Sequence, residues 1–323
     1  MGGKLLVFSV ACFLFSVVCA DVNGPLTADF QTWLNNNNYK PFNYARTDLG
    51  TKGSFGGRKS ADERIRNQPI VFIHGNADTA LTTGANSTGW EASIAYFLDN
   101  SYSPAELYAT TWGEGTAFPA SENAHDCDTV IRIRKFLEAV IAYTNAPKID
   151  VITHSMGVTI ARKAIKGGQL TTPTKTCNLG ASLTNKVDTF VGISGANYGL
   201  CKCQGVNEDL KETCNGINGF WPGNSCGFNV LDCGTVTASC EVPAYSSFLT
   251  DLNSDPNKEG VYIYSMYSTV DEVIMYGGNV WGRPTPVIPG GAGNKIYSTY
   301  SHYETKSLTA GDQYNMVVNH VMF

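Results

Sequence analysis

The sequence has no dense run of either charge. Lys and Arg total 23, Asp and Glu 28, and the formal net charge is −5. A nucleic-acid partner normally shows as a basic stripe, so none is expected. Beyond the first 20 residues there is no apolar stretch of the roughly 20 residues needed to span a bilayer. There is no Cys-x-x-Cys pair, and no histidine lies among the six cysteines between Cys201 and Cys240, which argues against a zinc site. No internal repeat is visible. The 323 residues, 43% hydrophobic and 16% charged, have an ordinary globular balance. They suffice for one large domain with a well-buried core, though length alone also permits two.

The N-terminus reads as a targeting segment rather than part of the fold. Lys4 supplies a positive charge, Leu5 to Val18 is apolar, and Val18-Cys19-Ala20 offers a small-residue cleavage site before Asp21. Residues 1–20 are therefore expected to be a signal peptide, with an uncleaved anchor as the alternative. Leu6 stands where a myristoylation motif requires Ser or Thr. The mature chain, 21–323, is expected to be a soluble, secreted, extracellular single domain. Losing Cys12 and Cys19 leaves Cys127, Cys177, Cys201, Cys203, Cys214, Cys226, Cys233 and Cys240. An even set in an exported chain implies up to four disulfides, whose pairing spacing does not reveal. Asn86-Ser87-Thr88 is the one glycosylation sequon.

Residues 21–66 show no clear period and read as a lead-in wrapping the domain. Pro69 to Ile73 is a short unbroken apolar run, as in a central parallel strand. Trp90 to Leu98 reads as helix and Glu106 to Trp112 as strand. Val130, Ile133, Leu137, Val140 and Ile141 set a helix over 129–144. Lys148 to Thr153, Val187 to Ile193, Val261 to Tyr267 and Lys295 to Tyr300 read as further strands. Helix 156–167 stops at Gly167-Gly168, and another helix is expected near 311–320. Strands alternating with helices imply a mostly parallel sheet flanked by helices. The Cys- and Gly-rich stretch 197–245 has neither period and reads as a disulfide-stapled insertion.

Ile149 to Gly157 combines a strand, a sharp turn at Ser155 and an immediate helix. That is the context of a nucleophile elbow, where strain at the turn lifts the serine oxygen above the sheet. Gly157 supplies the small residue two positions on, whereas Thr153 breaks the strict G-x-S-x-G pattern. An incidental serine is the competing reading. In such an elbow one oxyanion-hole amide follows the nucleophile and the other lies after the first strand. The backbone N–H groups of Asn76 and Met156 take those places, while the His74 ring reads as bonded to backbone. With the chain order Ser, acid, His, only His302 and His320 can be the base. His302 lies in a loop after the last strand, and His320 falls in the terminal helix and reads as structural. Asp271 follows the strand 261–267, at the carboxyl end of the sheet where ligand chemistry collects. Glu272 is its rival, with Asp251 and Asp255 weaker. His154 is expected to line the site wall. His125 with Asp126 and Asp128 reads as a helix N-terminus with capping acids, ahead of a metal cluster.

Four stretches then show a resemblance: Pro69 to Asn76, Glu106 to Trp112, Val151 to Gly157, and Val187 to Asn197. Together they resemble, in order and spacing, the class 2 (bacterial-type) triacylglycerol lipases. The resemblance implies an α/β-hydrolase fold with Ser155, Asp271 and His302 as triad and Asn76 and Met156 as oxyanion positions. It implies a lipid or ester substrate, met at a lipid–water interface, and no cofactor or metal. Thr153 and Val158 replace smaller residues common around the elbow. The Cys-rich insertion has no counterpart in minimal members, and residues 199–242 are expected to cap the acyl pocket. The expected activity is a secreted serine lipase acting on acylglycerols. A short-chain esterase and a catalytically silent lipid-binding relative are the alternatives.

Overall fold

The computed structural model describes residues 22–84, 87–115, 120–205, 211–225, 232–236 and 244–322. The expected signal peptide, the sequon Asn86, and Cys226 and Cys240 lie outside the described residues.

The fold is built on strands whose two faces are both covered. In β2 (Ile70–Ile73), Ile70 and Phe72 pack into one buried cluster and Val71 and Ile73 into the other. Strand side chains alternate between faces, so an unbroken apolar run is what a strand buried on both sides requires. The other strands of the main sheet are β1 (Ser54–Phe55), β3 (Leu107–Thr110), β4 (Ile149–His154), β7 (Val187–Ile193), β8 (Tyr262–Ser268) and β11 (Gly293–Tyr297). Their order is β1-β3-β2-β4-β7-β8-β11, with β1 antiparallel and the rest parallel. Two hairpins stand apart, β5 (Gln169–Thr171) with β6 (Thr176–Asn178) and β9 (Asn279–Val280) with β10 (Arg283–Pro284).

Helices α1 (Ala28–Asn36), α3 (Cys127–Thr144), α4 (Met156–Lys166) and α5 (Ser247–Ser254) contribute to one cluster. Helix α2 (Glu91–Asp99) and the C-terminal segment contribute to the other. The C-terminal segment comprises α6 (Glu304–Ser307), α7 (Ala310–Tyr314) and a π-helical turn at Asn315–Asn319. The fold is thus an α/β-hydrolase, a mostly parallel sheet between two helical layers. Among the described residues no helix is long and apolar enough to cross a membrane.

Departures from the sequence reading cluster at segment ends. The lead-in holds α1, capped by Thr27 Oγ1 and buried through Phe30 and Leu34, and the edge strand β1. With only two buried apolar side chains in nine residues, its period is too short to read. The last strand ends at Tyr297, and the terminal helix breaks into α7 and the π turn. The insertion contains short 3₁₀ turns and two disulfides, Cys201–Cys233 and Cys203–Cys214. A third bridge, Cys127–Cys177, ties the start of α3 to β6.

Candidate active site

Strand β4 feeds directly into α4 through Ser155, whose φ of 54° and ψ of −129° are rare for a residue with a Cβ. Helix and strand must then pass closely. A Cβ on Gly157 would lie 2.3 Å from the His74 carbonyl oxygen, and one on Gly75 would lie 2.7 Å from the Ser155 Cβ. The bulky residues at 153 and 158 are accommodated by glycines on the neighbouring strand and its exit. Thr153 pairs with Gly192 and donates its hydroxyl to the Val191 carbonyl at 2.9 Å. A Cβ on Gly192 or Gly195 would meet Val158 at 3.1 and 3.0 Å. The space lost at the elbow is recovered on β7.

His302 precedes α6, and Asp271 follows β8. The His302 Nδ1 lies 2.7 Å from Asp271 Oδ2, with both side chains almost wholly buried. The other carboxylate oxygen accepts from the Val273 and Ile274 amides, each at 2.9 Å. Burial alone would raise the Asp271 pKa, but the His302 contact and these amides outweigh it and hold the carboxyl below its ordinary range. Glu272 is exposed and accepts from the His302 backbone N–H at 3.0 Å, not from the ring. Asp251 lies on α5 and Asp255 ends it; neither lines the cavity. His320 stacks on Tyr262 and pairs with Asp188.

Ser155, His302, Asn76 and Met156 line one cavity of about 540 Å³, a size that suits a small ligand. Leu200, Phe220 and Ile274 contribute apolar wall. The insertion contributes Lys202, Lys211 and the Cys203–Cys214 bridge, so part of the expected cap does border this space. Met156 is the first residue of α4, where amides lack an intrahelical acceptor. The Asn76 side chain is fixed by donation to the Ala120 carbonyl and acceptance from Asn123, both at 2.7 Å.

The remaining histidines are structural in their contacts. His74 stacks on Trp112, contacts the Gly75 carbonyl through Nδ1 at 2.7 Å and accepts the Trp112 amide at Nε2. Burial pushes its pKa down to about 4. His154 does not line the cavity as expected. It sits beneath His302, with Nε2 3.1 Å from the His302 carbonyl, and burial holds it well below its usual pKa. His125 engages Asn218 and Thr159 through its two nitrogens. Asp126 stands at the N-cap of α3, but its side chain accepts from Asn218 rather than a helix amide. Asp128 pairs with Lys175 in solvent. Among the described residues no cluster of His, Cys, Asp or Glu is arranged to hold a metal ion.

One feature escaped the sequence reading. Lys306 on α6 reaches Asp78 on the loop after β2, Nζ to Oδ2 2.5 Å, with both side chains fully buried. It joins the loop carrying Asn76 to the segment carrying His302. Nothing local in the sequence links the two residues, because the contact spans 228 positions.

The sheet order, the elbow and the acid–histidine pair define an α/β-hydrolase. The sequence model of the family Lipase (class 2) matches residues 67–315, and the chain belongs to that family. Among solved structures it is similar to Aspergillus fumigatus lipase B at 12% identity and a TM-score of 0.46, covering 80% of this chain and 54% of that one. The chain thus spans about half the length of that lipase. It is also similar to a monoacylglycerol lipase from Paleococcus ferrophilus at 14% identity and a TM-score of 0.48, covering 84% and 98%. An extracellular alpha/beta-hydrolase from a Paenibacillus species is 13% identical, with a TM-score of 0.45 and coverage of 78% and 100%. No curated protein matches.

Proposed function

We propose that the protein is a secreted serine hydrolase that cleaves the ester bonds of acylglycerols through an acyl-enzyme on Ser155. The observation that carries this is the pairing of a strained Ser155 turn with the hydrogen-bonded His302–Asp271 couple at one cavity. His302 presents Nδ1 to Asp271, which leaves Nε2 to take the Ser155 proton as the hydroxyl attacks the acyl carbon. Asp271, kept ionised, holds the ring orientation and stabilises the imidazolium. The Asn76 and Met156 amides receive the oxyanion; losing one such donor typically costs about 10²–10³ in rate. His302 then protonates the leaving alcohol, and an activated water clears the acyl-enzyme. No step draws on a metal or organic cofactor.

Residues 1–20 act as the signal peptide in this reading, and 21–323 form one secreted domain. Three disulfides support export to an oxidising compartment. The test is hydrolysis of short- and long-chain glycerol esters, below and above their solubility limits, by mature protein and Ser155→Ala. Long-chain turnover that rises at the interface and disappears in the variant supports a lipase. Turnover of soluble esters alone makes it an esterase. Folded protein inert on every ester refutes the reading.

A further inference from the structure

The cavity above Ser155 has a charge opposite to that of the chain. The protein is net −5, yet the charged side chains lining this space are Lys202 and Lys211, with no Asp or Glu among the described lining residues. Both lysines come from the disulfide-stapled insertion, and the bridges set where they stand. Lys202 lies between Cys201 and Cys203, each covalently tied elsewhere, to Cys233 and Cys214. Lys211 is the N-cap residue of the 3₁₀ turn ending at Cys214. The Cys203–Cys214 bridge therefore anchors the two lysines to one wall. They are close enough that Lys211 disfavours the charge on Lys202, a smaller effect than partial desolvation and than the opposing pull of Asp271. Both side chains are exposed, and they add positive charge to a wall on which the described lining residues offer no carboxylate. Ammonium groups are compact point charges suited to phosphate and carboxylate oxygens, and disulfide anchoring reduces the ordering cost of binding.

We propose that Lys202 and Lys211 form an anion subsite beside Ser155, so that the preferred substrates are acyl esters whose alcohol portion carries a phosphate or carboxylate. This rests on the ester-hydrolase reading above and names the substrate class of the same site. The lysines contact the substrate headgroup, not the reacting atoms. The apolar wall of Leu200, Phe220 and Ile274 is left for the acyl chain.

The test compares 1-hexanoyl-glycerol with 1-hexanoyl-glycerol-3-phosphate and the hexanoyl ester of glycerate, which differ in the headgroup. The selectivity ratio, anionic over neutral kcat/KM, is expected to be about tenfold or more in the native protein at low salt. It should fall by about tenfold with Lys202→Gln or Lys211→Gln, the loss of one charge-assisted contact. Lys→Arg at either position should retain it within about threefold. Raising salt from about 0.02 M to about 0.5 M should collapse the ratio in the native protein, a readout that needs no variant. A ratio near one in native protein, or Gln variants that slow both ester types equally, would overturn the proposal. Binding of hexyl phosphate to Ser155→Ala, read by calorimetry, separates this from failure of the hydrolase reading. Roughly tenfold weaker binding on adding Lys202→Gln supports the subsite whatever the turnover. Absence of binding, or inorganic phosphate binding as tightly as hexyl phosphate, overturns it.

Discussion

Replacing Lys306 with methionine should destabilise the protein far more than removing any surface charge. The Lys306 ammonium lies 2.5 Å from Asp78, at 1% exposure against 0%, and stands 5.1 Å from the Trp90 ring centroid. Methionine fills much of the same volume, so the main effect is an uncompensated buried carboxylate. Breaking one half of a buried pair typically costs about 3–5 kcal/mol. Asp78 retains three donors, the Thr79 and Gly89 amides and the Ser87 hydroxyl. The loss should therefore fall near the lower end, about 3 kcal/mol, a fall of roughly 4–5 °C in Tm for a chain of 323 residues. Chemical denaturation of Lys306→Met, Asp78→Asn and the double variant completes the measurement. The double variant should be more stable than the summed singles by about 2 kcal/mol, because it leaves no unpaired charge. Lys175→Ala, which removes a pair that is 48% and 85% exposed, should change stability by less than about 0.5 kcal/mol. The pH dependence has a definite sign. Burial would raise the Asp78 pKa, but Lys306 beside it outweighs this and holds the carboxyl below its ordinary value. The pair's stabilisation is thus full above the unfolded carboxylate pKa, about 4, and lost as pH falls below it. A cost under about 1 kcal/mol for Lys306→Met, or additive singles, would refute the reasoning.

Other perturbations follow from the same geometry. Burial lifts the Asp150 pKa to about 7, so ionising it opposes folding as pH rises through that value. Asp150→Asn should gain stability relative to native protein between about pH 5 and pH 8, on the order of 2–4 kcal/mol, measured by paired denaturation curves. Burial depresses His74 and His125 to about 4. The unfolded chain binds their protons first, so stability should fall from about pH 6.5 to pH 4, by up to roughly 3 kcal/mol per histidine. Replacing both Cys127 and Cys177 with alanine opens a loop with a sequence separation of 50 and should cost about 4 kcal/mol in the chain-entropy estimate. Gly75→Ala places a methyl 2.7 Å from the Ser155 Cβ and should lower kcat by about 10² in a protein that still melts cooperatively.

The sheet was largely legible because both its faces are buried. Ile70 to Ile73, Val187 to Ile193 and Tyr262 to Ser268 are apolar enough to mark central strands without partners in view. The elbow was legible for a local reason, since strand, turn and helix are contiguous around Ser155 and Gly157 marks the close approach. Chain order then narrowed the base to two histidines, and His302 is the one the fold brings to the cavity with Ser155. Helix α1 was not legible, because its short buried face is recognised only against Tyr108, Phe136 and Tyr143.

By itself the sequence determined which segments were apolar enough to be buried, where the chain had to turn tightly, and which residue types were available for acyl transfer. These are local properties, set by side-chain period, by glycine and by chain order. Tertiary structure decided what depends on distance. It paired Asp271 rather than Glu272 with the His302 ring, put His154 beneath that ring, and gave Thr153 and Val158 room beside Gly192 and Gly195. It also buried Asp78 against Lys306 and brought two lysines of the disulfide-stapled segment to the Ser155 cavity. Charge–charge contacts and cavity walls join residues far apart in the chain, and no periodicity along the chain records them.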